Sequence, residues 1–169
     1  GEETFILKTK RDGTAKTEIN KVEKGILSDG INFKNDDKVI PIGNEGQPSL
    51  NGMRDFITNL AALSGVEIGG FELSKNNEIK PNYIYISKYK DNTPDDGTIY
   101  FDLAKTAPDL VGNVTPTTFF HSHPNYGNAT DKERRTPSVT DRNAKSLLLL
   151  VYPQMKFIIL NKGLTPTPF

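Results

Sequence analysis

The sequence predicts an α+β domain built on a mixed sheet. Three observations carry that expectation. β-forming runs separated by turn dipeptides fill the first 44 residues, two stretches at 49–64 and 138–150 have the look of helices, and strands and helices do not alternate regularly as in a doubly wound fold. A chain of 169 residues fits one domain with a modest extension.

The elements follow in order. TFILKTK, AKTEINKVEKGIL, INFK and KVIPIG are strand-like, and Asp12-Gly13 and Asp29-Gly30 between them are hairpin-turn signals. They predict a β-meander, an N-terminal extension over residues 1–47 ahead of a core domain over 48–169. Its acids and bases alternate too closely to form a patch, which predicts a solvated hairpin face. Met53, Phe56, Ile57, Leu60 and Leu63 then recur at helical spacing, and Ser64-Gly65 supplies a stop, so 49–64 is an amphipathic helix.

VEIGGFEL follows as a strand, where the Gly69-Gly70 pair implies a close backbone approach. Its two acids, Glu67 and Glu72, are an odd number of residues apart and so face opposite sides. NYIYISKY and TIYFDL flank the turn-rich NTPDDG and predict a second hairpin. After a loop around Pro108 and Gly112, TPTTFFHSH is a strand. Ser138 to Leu150 is a helix ended by Tyr152-Pro153, MKFIIL is a buried type of strand, and TPTPF is an extended tail.

Composition excludes several classes of function. With no cysteine there is no disulfide, zinc ribbon, thiol nucleophile or Cys-ligated deaminase site. The formal charge is zero, from 21 basic and 21 acidic residues, so no field is available to hold a polyanion; only Lys132, Arg134 and Arg135 form a small basic cluster. Nucleic acid and membrane are not expected as partners. The apolar run Leu147 to Val151 is far too short to span a bilayer, and no signal peptide is visible.

The chemistry concentrates at 119–141. Both histidines of the chain lie here, two residues apart at the end of a β-like run, so His121 and His123 aim at one face while Ser122 points away. Two such imidazoles plus a carboxylate make the ligand set of a catalytic zinc, with a fourth position left for water. Asp141, in the first turn of the second helix, can supply the carboxylate; Asp131 and Glu133 are rivals. The plainer reading is a surface turn with neighbouring histidines and a capping box, since Ser138-x-x-Asp141 also caps a helix. Glu67 has its own plain reading, as an exposed strand carboxylate.

His121-Ser122-His123-Pro124 followed by Ser138-x-x-Asp141, with Glu67-x-x-Gly70-Phe71 upstream, resembles the signature of the JAMM or MPN-plus zinc metallopeptidases. The similarity covers about residues 48–162, and fourteen residues separate His123 from Ser138 where the family has about seven. NYGNATDKERRT within that spacer is polar and turn-rich, which predicts a lengthened loop. The resemblance implies an MPN fold and Zn2+ held by His121, His123 and Asp141. It further implies Glu67 as general base, Ser138 as oxyanion donor, and hydrolysis of peptide or isopeptide bonds in a protein or peptide substrate. In overall style the chain looks most like the bacterial JAB-like domains of polymorphic toxins, which implies a secreted or delivered effector with an immunity protein as partner. Two other classes remain: a metal-free MPN scaffold acting as a binding module, and a two-histidine, one-carboxylate iron enzyme for which the same three ligands serve.

Overall fold

A computed structural model of the chain describes residues 2–9, 15–26, 36–64, 67–87, 101–123, 130, 132, 135–161 and 165–169, with the backbone alone for 2–9, 15–21, 63 and 64. The turn dipeptides Asp12-Gly13 and Asp29-Gly30, the NTPDDG turn, and Asp131, Glu133 and Arg134 lie outside these residues. The architecture is the expected α+β. A six-stranded mixed sheet has the order β3-β5-β4-β6-β7-β8, made of β3 (Lys38–Pro41), β4 (Gly69–Lys75), β5 (Tyr83–Ile86), β6 (Val114–Ser122), β7 (Lys156–Leu160) and β8 (Thr167–Pro168). Two main helices, α1 (Leu50–Ser64) and α3 (Val139–Val151), accompany it, with a single turn, α2 (Leu103–Thr106), between them.

Ahead of the sheet, β1 (Glu2–Thr9) and β2 (Ala15–Glu23) form an antiparallel hairpin with Ile6 opposite Ile19. Of the expected meander, INFK lies outside the described residues, and KVIPIG does not extend the hairpin, because its strand β3 pairs with β5 at the edge of the main sheet. The hairpin is tied to α1: Val22 and Ile26 enter the core, and the Glu23 carboxylate accepts from the Ser49 amide (2.7 Å) and hydroxyl (2.9 Å) at the helix start. A negative group there complements the unpaired amides of the first turn.

Alternation along each strand divides the core into two layers. Ile84, Ile86 and Phe120 face α1 and pack with Met53, Phe56, Ile57 and Ala61; Phe71, Leu73, Tyr85, Phe119 and Phe157 face the other way, toward Leu148 and Leu149 of α3. The close approach expected at the glycine pair is at Gly70, where an added Cβ would lie 1.9 Å from the Tyr85 carbonyl oxygen of β5.

Among the described residues, the hairpin predicted between NYIYISKY and TIYFDL is not present. β5 is flanked by β3 and β4, so neither edge is left for a third partner. Of TIYFDL, Phe101, Asp102 and Leu103 are described and none is strand, Leu103 being the first residue of α2. The Asp102 amide donates to the Tyr85 hydroxyl (2.8 Å), and the Asp102 side chain accepts from Lys105 N (3.1 Å) to cap α2. The Tyr85 hydroxyl in turn donates to Asp37, and burial pushes the phenol up to about 12. The tail is extended as expected and also pairs, antiparallel, with β7.

β6 and β7 are parallel, and α3 lies in the connection between them. A parallel pair needs such a crossover, and the crossover returns the helix start to the carboxyl end of the first strand. That is where His121 and His123 sit. Among the described residues, no helix is long and apolar enough to cross a membrane.

Candidate metal centre

His121 and His123 project from the end of β6 to the α3 side of the sheet, and α3 starts opposite them with Asp141 in its first turn. The Nε2 atoms of the two rings lie 2.9 Å apart, and Oδ2 of Asp141 lies 3.2 Å from the first and 3.3 Å from the second. Three atoms bearing lone pairs thus face one point, and at these separations they repel unless a proton or a cation lies among them. The group could hold a metal ion. His121 is buried, whereas His123 and Asp141 are each about one-sixth exposed, so the point is reached from the His123 and Asp141 side.

The capping box forms, and its geometry is compatible with the ligand reading of Asp141. Ser138 is the N-cap of α3, its hydroxyl oxygen accepts from the Asp141 amide (3.0 Å), and Oδ2 of Asp141 accepts from the Ser138 amide (2.7 Å). The oxygen that closes the capping box is the one that faces the histidines. Burial works against the Asp141 charge, but hydrogen bonds from His121 and His123, the charge of His121 and the Ser138 amide outweigh it and hold the carboxyl well below the usual carboxylate range. A ligand that stays ionised is what metal binding requires.

Glu67 lies immediately ahead of β4 and is exposed. Gly69 pairs with His121, and the Ser122 amide donates to the Ile68 carbonyl (2.9 Å), so continuing that antiparallel register puts Glu67 across from His123, on the same face. It is not among the three grouped donors. Glu72, as its odd separation from Glu67 requires, faces α1: it is buried and held by Arg54 through Nε (2.8 Å) and Nη2 (2.9 Å).

Sequence reasoning missed two supports of the site. Ser122 points away from the metal side as expected, yet it is buried and its hydroxyl accepts from the Ile68 amide (2.8 Å), which stitches the entry of β4, next to Glu67, onto the end of β6. Phe169 packs edge-on against His121, with ring centroids 5.5 Å apart and an interplanar angle of 87°. No local pattern signals either contact. In the spacer expected as a loop, Lys132 and Arg135 have helical backbone, and the Thr136 hydroxyl donates to Lys132 O (2.6 Å).

No protein-family model matches the chain, and no curated protein matches it.

Proposed function

We propose that the chain is a zinc-dependent hydrolase that cleaves peptide or isopeptide bonds. The observation that supports this most is the convergence of His121, His123 and Asp141. Their three separations, 2.9, 3.2 and 3.3 Å, define a circle of radius about 1.8 Å, so a point about 1 Å off its plane lies about 2.05 Å from every donor, a normal zinc bond length. Two imidazoles and one carboxylate are also a donor set typical of catalytic zinc, which leaves a vertex open.

When bound by His121, His123 and Asp141, zinc would supply Lewis-acid chemistry, lowering the pKa of a water and polarising a carbonyl. Glu67, just ahead of β4 and across from His123, would accept a proton from the attacking water and return it to the departing amine. Ser138 uses one lone pair of its hydroxyl in the helix cap, which leaves its O–H to donate to the carbonyl oxygen as charge develops there. Asp141, fixed by the cap, keeps its charge and holds the third ligand position.

Metal analysis of the purified protein, with hydrolysis assays on fluorogenic peptides and lysine-linked isopeptide substrates, tests the reading. The expected result is one zinc per chain and an activity abolished by a chelator. Glu67→Gln keeps the zinc and loses turnover, and His121→Ala loses the zinc. Iron in place of zinc, with oxygen-dependent activity, would point to the two-histidine, one-carboxylate oxygenase chemistry and overturn the hydrolase.

A further inference from the structure

A metal-ligating histidine ordinarily donates its second ring N–H to a carboxylate, carbonyl or water, and that bond fixes the ring. The buried Nδ1 of His121 meets no hydrogen-bond partner among the described residues. What surrounds the ring is aromatic: Phe119 on the same strand, at 5.8 Å between centroids, and Phe169 from the far tail, at 5.5 Å and nearly perpendicular.

Phe169 is itself held from three directions. Its amide donates to the Phe157 carbonyl (3.1 Å), continuing the pairing of β8 with β7. Its ring meets that of Phe157 at 5.7 Å. Its carbonyl accepts from Nζ of Lys145 (2.6 Å), and the same ammonium sits over the Phe157 and Phe169 rings at 5.4 and 5.7 Å. Lys145 is one turn beyond Asp141 on α3, on the same side of the helix. The tail therefore joins the helix that carries one ligand to the ring that is another.

We infer that Phe169 is a positioning residue of the metal centre, and that this aromatic wall, latched by Lys145, orients the His121 imidazole in place of the usual hydrogen bond. The inference rests on the metal-binding reading above. It goes beyond it in assigning a role to the tail 165–169, whose Phe169 meets the His121 ring.

The test is zinc affinity, measured by competition with a chromophoric chelator on the full chain, with thermal unfolding in parallel. Phe169→Ala is expected to weaken zinc about tenfold, at the lower end of the range for outer-shell changes. Phe169→Tyr restores wild-type affinity, and Lys145→Met gives a loss of about threefold, since the latch goes and the ring stays. Phe101→Ala, which removes a ring packed on Phe71 and Tyr85 in the same core layer, lowers the unfolding temperature without changing zinc affinity. Wild-type affinity in Phe169→Ala, or an equal loss in Phe101→Ala, overturns the inference. If the wild-type chain binds no zinc, the hydrolase reading fails, and the His121 ring resonances of the metal-free protein decide the positioning role. They shift and broaden in Phe169→Ala if the wall orients the ring, and stay unchanged if it does not.

Discussion

Asp141 faces His121 with the same carboxylate oxygen that closes the cap of its own helix: Oδ2 lies 3.2 Å from Nε2 of His121 and 2.7 Å from the Ser138 amide. One atom thus caps the start of a helix and is a donor of the candidate site. The two duties can be separated by substitution.

Asp141→Asn keeps an oxygen for the Ser138 amide and loses the charge. Zinc affinity is expected to fall by more than the roughly 100-fold upper end seen for outer-shell changes, with the unfolding temperature little altered. Ser138→Ala does the reverse: it costs about 1 kcal/mol of stability through the lost cap and leaves zinc bound. Calorimetric titration and thermal melts of the two variants check this, and loss of zinc from Ser138→Ala would contradict it.

The depressed Asp141 carboxyl makes stability depend on pH. Because its folded-state value lies below the ordinary 3.8, it contributes stability that is fully present above about pH 4 and is lost as pH falls further. Urea unfolding of the metal-free protein between pH 2 and about pH 6 should show that loss, and Asp141→Asn should show a shallower one. Parallel acid limbs would mean that the carboxyl titrates normally.

Ser122→Ala removes the acceptor of the buried Ile68 amide, and an unsatisfied buried group costs roughly 1–3 kcal/mol. The segment carrying Glu67 loses one of the two bonds that tie Ile68 to Ser122, so hydrolysis should fall more than zinc affinity. Denaturant midpoints with metal titration test both parts, and an unchanged midpoint would show that the bond carries no weight.

On the opposite face, Arg54→Ala strands the Glu72 carboxylate in the core. Breaking a buried pair from one side costs about 3–5 kcal/mol, whereas Arg54→Met with Glu72→Leu, which removes both charges, is expected to be near neutral. Neither change should alter zinc content. Unfolding free energies and metal analysis read this directly, and zinc loss in the double variant would tie this pair to the metal centre.

The candidate ligands were legible because their signals are local. Two histidines two apart on a strand share a face whatever the fold, and Ser138 with Asp141 marks a helix start within four residues. Met53, Phe56 and Ile57 of α1 are buried as their spacing predicts. Illegible features depend on which strands become neighbours. TIYFDL has the composition of a strand, but both sides of β5 were taken by β3 and β4, and Asp102 instead caps α2. Arg54 finds Glu72, and Phe169 finds His121, across distances in sequence that no periodicity reports.

The parallel pairing of β6 with β7 leaves the stretch between His123 and Ser138 pinned at both ends by elements that do not depend on its length. Chain added there is entropically cheap, at about 0.6 kcal/mol for each doubling. That stretch can therefore be rebuilt while the three grouped donors stay in place, and an engineer altering the surroundings of the site would graft there first.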